Sequence, residues 1–335
     1  MTAEPRIIIT GAAGFIGSAL AWRLNGMGRR NLLLVDQLGH SPKWRNLVPL
    51  RYRDYMEKGD FLASLADKRM DASEVQAVIH MGACSATTEA DASYLIKNNF
   101  EYSKRLADWC LDRPNPIRFI YASSAATYGD GSLGYADDHS LLPGLRPLNM
   151  YGYSKHMFDL WNQELARLDE VVALKFYNVY GPNEYHKGDM KSMVVKAYEQ
   201  IKRTGVVQLF KSHHPDYEDG EQMRDFVYVK DAVEMALFFL DPALAGGAYN
   251  IGTGTARTWV DMMKALFQAL GKEPRIEFVP MPEILREKYQ YYTKADPGKI
   301  RRAGYNQPVS SLEAGVADYV RYLEAGQQPL GWATA

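Results

Sequence analysis

Short apolar runs punctuate the first half of the chain: Ile7-Ile8-Ile9-Thr10, Leu32 to Asp36, Val75 to His80 and Arg118 to Ala122, with Val171 to Phe176 following. Each is continuous rather than alternating, the pattern of parallel strands buried on both faces. Segments with apolar residues at helical spacing separate them, as in Ser18 to Asn25 (Leu20, Ala21, Leu24), Tyr94 to Leu111 and Tyr153 to Leu165. Strand alternating with helix predicts βαβ units, and hence an α/β fold built on a doubly wound parallel sheet.

The regularity stops near residue 177. The 183–223 stretch is polar, and His213 to Gly220 reads as loop. Phe226 to Val229 and a helix over Ala232 to Leu240 return to the character of the sheet domain; after Ala256 come helices and one strand, Arg275 to Val279. The expected organisation is a dinucleotide-binding domain over residues 1–176 plus about 225–254. A smaller, partly interleaved α/β substrate domain takes about 177–224 plus 255–330. A chain of 335 residues has room for both.

Between the first strand and the first helix, Gly11, Gly14 and Gly17 are spaced G-x-x-G-x-x-G. The first glycine permits a tight turn, the second lets backbone approach a pyrophosphate, and the third lets the helix pack closely on the strand. Backbone N–H groups at the helix start then face the anion. A Rossmann-type dinucleotide site follows from this context. Asp36 ends the second strand, where a carboxylate accepts from a ribose 2′-hydroxyl and favours NAD. Lys43 and Arg45 follow, and either could neutralise a 2′-phosphate instead, which favours NADP; the residues alone leave both open.

Tyr151 and Lys155 form Tyr-x-x-x-Lys at the start of a helical pattern, and residues four apart share one helix face. Tyrosine is a poor base at neutral pH. A neighbouring ammonium and a nicotinamide cation would stabilise its phenolate, so that it can shuttle a proton while hydride moves. Ser124, just past the fourth strand, can hydrogen-bond the reacting oxygen.

Composition narrows the choice. The chain carries 39 basic and 40 acidic residues, a balance that argues against nucleic acid or a membrane surface as main partner. Its two cysteines, Cys84 and Cys110, cannot supply a disulfide framework, and no Cys/His spacing suggests a metal site. His213-His214 lacks a third ligand nearby. The opening Met-Thr-Ala-Glu-Pro-Arg shows no basic region leading into an apolar core, and no apolar run spans a bilayer. The expectation is a cytoplasmic enzyme.

With Gly11 to Gly17, Ser124 and the Tyr151/Lys155 pair in place, the chain resembles the extended short-chain dehydrogenase/reductase superfamily, whose members mostly act on nucleotide-linked sugars. More narrowly it resembles the ADP-L-glycero-D-manno-heptose 6-epimerase family of lipopolysaccharide precursor synthesis. The carrying segments include Gly82-Ala83-Cys84-Ser85-Ala86-Thr87-Thr88-Glu89, Ser123 to Gly129, Met150 to Lys155, Phe176 to Pro182, His186-Lys187-Gly188, Arg224 to Val229 and Tyr289-Gln290.

The resemblance implies inversion at C6 of the heptose by transient oxidation and re-reduction with a bound cofactor. It implies Tyr151 as acid/base for one face and Lys187 for the other. It further implies cofactor contacts from Phe15, Ile16, Asp36, Gln37, Lys43, Lys58, Met81, Gly82, Ala83, Cys84, Ser85, Asn98 and Val179, as well as from Tyr151, Lys155 and Lys187. The Lys43 match tips the cofactor toward NADP. On the substrate side it implies Ser124, Asn178, Asp189, Lys196, Phe210, Arg224 and Tyr289, and a homo-oligomer as the assembly. Arg224 suits the role physically, since a guanidinium grips a diphosphate in bidentate fashion; its alternative is an ion pair with a neighbouring Asp. Met81 stands where the family has Glu, Asp189 where Ser is common, and the His213 to Met223 stretch is longer than the family pattern. The acidic residues of that stretch (Asp216, Glu218, Asp219, Glu221) are expected to face solvent. A second reading is another nucleotide-sugar epimerase or dehydrogenase of the superfamily.

Overall fold

The computed structural model describes residues 4–286 and 289–332. Among them are strands β1 (Arg6–Thr10), β2 (Leu32–Asp36), β3 (Asp54–Glu57), β4 (Val75–His80), β5 (Arg118–Ser124), β6 (Val171–Phe176), β7 (Asn178–Tyr180), β8 (Val207–Phe210), β9 (Met223–Tyr228), β10 (Gly247–Ile251), β11 (Ala256–Thr258) and β12 (Ile276–Val279). Seven make a wholly parallel sheet in the order β10-β6-β5-β4-β1-β2-β3. The order reverses between β1 and β4, and the crevice beyond the strand ends at such a reversal is where this architecture binds ligands.

The continuous apolar runs are explained by two-sided burial. Ile7 and Ile9 pack on one face with Ala19, Leu20 and Leu24 of the Phe15–Gly26 helix, while Ile8 packs on the other with Leu33, Val35, Val78 and Phe119. Each such side chain contributes about 1.5–3 kcal/mol by leaving water. The edge strand β3 carries no apolar run, because Asp54 is exposed and Tyr55 to Glu57 are only part-buried.

One expectation is corrected. The Phe226 to Val229 run does not rejoin the large sheet: β9 pairs with β7 and β11 in a separate three-stranded sheet. The run is apolar because β9 packs beneath the Leu312–Glu324 helix. The polar 183–223 stretch also holds regular elements outside the His213 to Gly220 loop. It holds the Met193–Thr204 helix, which buries Val194, Val195, Ala197, Tyr198 and Ile201 on one side, and β8, which pairs with β12. An amphipathic helix looks polar when only its average is read.

Candidate active site

The glycine turn is closed by contacts that leave no room for side chains. Gly11 has φ +67°, and a Cβ there would come 2.7 Å from Gly82 Cα; one on Gly17 would come 2.1 Å from Gly11 O. Gly14 caps the Phe15–Gly26 helix without any side-chain cap, so the backbone donors of its first turn face the crevice. This backbone cradle fits a pyrophosphate.

Two adjoining cavities, of about 370 and 310 Å³, flank the turn. Asp36, Gln37, Lys43, Lys58, Gly82, Ala83, Cys84 and Asn98 line the first. Here Asp36 accepts from Ala13 N at 2.8 Å, from Gln37 N at 2.7 Å and from Lys43 Nζ at 2.7 Å. Lys58 Nζ donates to Asn98 Oδ1 at 2.7 Å, which joins two more of the expected contacts. Gly14, Phe15, Ile16, Gly17, Met81, Ser85, Tyr151, Lys155 and Lys187 line the second cavity.

A third cavity, of about 390 Å³, holds Ser124, Tyr151, Asn178, Val179, Lys187 and Lys196, and shares Phe15, Ile16 and Ser85 with the second. Tyr151 and Lys187 line both. Ser124 is the last residue of β5 rather than a residue beyond it. The helix carrying Tyr151 spans Met150–Glu164, three residues earlier than its apolar spacing suggests, because Asn149 caps it by accepting from Gly152 N.

Burial raises the Tyr151 phenol above its usual range, while the Ser124 hydroxyl beside it pulls the other way. Lys155 follows one turn later on the same helix and is buried. Its Nζ donates to Ala122 O at 2.7 Å, and burial brings its own pKa down to about 8. Burial also lowers Lys187, whose Nζ lies 5.4 Å from the centre of the Phe15 ring; the Glu184 carboxylate opposes that shift.

Arg224 is buried, donates to Met223 O, and has its guanidinium 5.1 Å from the Tyr289 ring and 5.9 Å from the Trp259 ring. Trp259 lines the 390 Å³ cavity and donates to Tyr289 Oη at 2.9 Å, so it links this cluster to that cavity. The ion pair with a neighbouring Asp does not form. Asp225 accepts from Thr253 N and Oγ1, Gly254 N and Ala295 N instead. Among the described residues no carboxylate pairs with Arg224. Asp189 is exposed in the Gly188–Met190 turn, and Phe210 is exposed on β8; neither lines the cavity.

In the long 213–223 stretch Asp216, Glu218 and Glu221 are exposed. Asp219 is part-buried and accepts from Ser212 N at 2.8 Å. The aromatic residues point the other way: His214 and Tyr217 lie 5.0 and 5.5 Å from Tyr291, which in turn lies 5.2 Å from Tyr289.

Other groups have no motif that could announce them. His80, at the end of β4, sits between Thr10 Oγ1 at 2.6 Å and Ser103 Oγ at 2.8 Å. Asp159 and Lys175 form a buried ion pair at 2.6 Å, completed by Tyr121, Ser123 and Thr127. Asn46 donates to Ala13 O and Asn183 O, tying the glycine turn to the segment that carries Lys187. An isolated polar residue in sequence carries no signal of such a partner.

Comparison with known proteins agrees with this geometry. Residues 7–252 match the NAD dependent epimerase/dehydratase family. The ADP-L-glycero-D-manno-heptose-6-epimerase of Nitratidesulfovibrio vulgaris (Hildenborough) is 53% identical over 96% of this chain and 99% of its own. That of Fusobacterium nucleatum is 49% identical over 94% of this chain and 97% of its own. The crystal structure of the Helicobacter pylori protein of that name superposes with a TM-score of 0.80 at 25% identity, covering 96% of this chain and 97% of the other.

Proposed function

The chain belongs to the NAD dependent epimerase/dehydratase family, and from that premise we propose that it inverts C6 of the heptose in ADP-D-glycero-D-manno-heptose. The product is ADP-L-glycero-D-manno-heptose, a precursor of the lipopolysaccharide core. One observation carries the proposal: Tyr151 and Lys187, on different elements, line both the cavity beside the glycine turn and the cavity beyond it. Two proton-transfer groups from different elements give each half-reaction of an inversion its own acid/base, which a single tyrosine could supply only if the intermediate brought its oxygen back to the same hydroxyl.

A nicotinamide cofactor, held by the Gly11 to Gly17 turn and the Asp36 side of the crevice, supplies the hydride acceptor and donor when bound. The protein's own groups handle the proton and the positioning. Ser124 Oγ holds the C6 oxygen. Tyr151 Oη exchanges a proton with that oxygen on one face and Lys187 Nζ on the other. Burial raises the Tyr151 phenol and lowers the Lys187 ammonium, in each case disfavouring the charged form. Asn178 and Lys196 orient the sugar, and Arg224, framed by Tyr289 and Trp259, takes the diphosphate.

We infer that the cofactor is NADP. In support, Lys43 stands against Asp36 at the site that would receive the ribose, and an ammonium there offsets a 2′-phosphate. NAD is the competing reading, because the same carboxylate can accept from a free 2′-hydroxyl. We further infer that residues 1–176, with the 247–251 strand of the large sheet, carry the cofactor, and that most of the remainder carries the nucleotide sugar.

The test is incubation of the purified protein with ADP-D-glycero-D-manno-heptose, without added cofactor, while NMR follows the C6 configuration. Conversion to the L-glycero epimer supports the proposal. Failure to convert after addition of NADP⁺ and then NAD⁺ overturns the substrate and leaves family membership standing.

A further inference from the structure

Lys187 sits in an irregular segment, between β7 and the Met193–Thr204 helix, whose only regular feature is the Gly188–Met190 turn. Such a segment is mobile unless buried groups fasten it. Two do. Asn183, fully buried with φ +82°, donates to Ser18 Oγ at 2.8 Å and accepts from Leu330 N at 2.7 Å. Glu184 is also fully buried, and four donors converge on its carboxylate. Gly181 N, Ser192 Oγ and Tyr319 Oη reach Oε1 at 3.2, 2.7 and 3.1 Å, and Ser192 N reaches Oε2 at 2.6 Å. Gly181 and Ser192 bracket the lysine on either side, and Tyr319 belongs to the Leu312–Glu324 helix. The backbone closes the turn: Lys187 N donates to Glu184 O at 3.0 Å and Met190 N to Lys187 O at 2.9 Å.

We propose that Glu184 is a positioning residue for Lys187: its carboxylate braces both ends of the segment that carries the lysine and brings an acidic group to the same buried segment as the ammonium. The proposal rests on the reading of Lys187 as the second acid/base. A buried carboxylate that only closed a turn could be replaced by a neutral acceptor without kinetic effect. The second role needs the charge. The titratable and charged neighbours of Lys187 along the two cavities are Tyr151, Lys155, His186, Lys43, Asp36, Tyr177, Tyr180, Lys191 and Lys196. Asp36 is occupied by Lys43, which leaves Glu184 as the carboxylate acting on Lys187; Tyr185 and Tyr319 are the further titratable groups around Glu184 itself.

Glu184→Gln retains an acceptor at Oε1 and removes the charge. The expected result is a limb of the pH–rate profile, the one that Lys187 governs, displaced to lower pH, with a melting temperature lowered because the amide nitrogen cannot accept from Ser192 N. Glu184→Ala removes the brace, and a misplaced acid/base is expected to lower kcat by about 100-fold while NADP affinity changes by less than about 2-fold. If Glu184→Ala does not fold, Tyr319→Phe, which takes away one donor and keeps the charge, is expected to lower kcat several-fold and leave the limb in place. Wild-type kcat and an unmoved limb in the Glu184 and Tyr319 variants, alongside loss of turnover in Lys187→Ala, would overturn the proposal. Full turnover in Lys187→Ala would instead overturn the role of the lysine, and this proposal with it.

Discussion

Lys43 Nζ lies 2.7 Å from Asp36 Oδ1, so the acidic and basic residues that sequence offers as rival readers of the adenosine ribose form one ion pair. Asp36 is itself pinned by the backbone N–H groups of Ala13 and Gln37. The carboxylate therefore works as a fixed post that aims the ammonium into the crevice. Lys43→Ala should weaken NADP binding by about 10–100-fold, the range for a lost hydrogen bond to a charged group, and weaken NAD binding far less. Calorimetry with both cofactors decides; equal losses would remove the 2′-phosphate from the account.

Tyr151→Phe keeps the ring that lines both cavities and deletes the proton. Turnover should fall by about 10²–10⁴-fold with cofactor affinity preserved. Single-turnover assays and a cofactor titration on the same preparation check both halves. Wild-type turnover would remove Tyr151 from the reaction.

Arg224 separates stability from binding. Its guanidinium is buried against Tyr289 and Trp259 with no carboxylate partner among the described residues, and burial lowers its pKa. A buried unpaired charge is unfavourable until an anion arrives. Arg224→Met should raise the melting temperature of the substrate-free protein and raise KM for the nucleotide sugar by at least about 10-fold. A lower melting temperature would mean that the cation is structurally satisfied.

His80 gives the fold an acid limit. Burial, with Lys155 nearby, takes its pKa down to about 3, and His186 falls to about 4 through burial, Lys43 and Lys187. Both values lie below the unfolded value near 6.5, so between about pH 6.5 and 4 the unfolded chain binds more protons than the native one. Stability is then lost as pH falls through that window. Melting temperatures across pH 4–7 should drop for the wild type and drop less for His80→Gln; parallel curves would assign the acid limb to other groups.

Much of the sheet and the chemistry at its edge was legible in sequence. Continuous apolar runs located β1, β2, β4, β5 and β6, because strands buried on both faces leave no polar face to interrupt them. Gly11, Gly14 and Gly17 marked the phosphate turn, because a Cβ at Gly11 or Gly17 would collide with neighbouring backbone and one at Gly14 would be tight. Tyr151 and Lys155 follow from helical spacing.

Long-range packing decided the rest. The edge strand β3 has too little burial to leave a pattern. The apolar run in β9 could not reveal which sheet it joins, since burial under a helix and burial within a sheet select the same residues. Glu184 and Tyr319 meet only because the Leu312–Glu324 helix folds back onto the segment between β7 and the Met193–Thr204 helix. Local spacing encodes what one element can do alone. Which groups face each other across a cavity, and how far burial shifts their protons, depends on contacts between residues far apart in the chain.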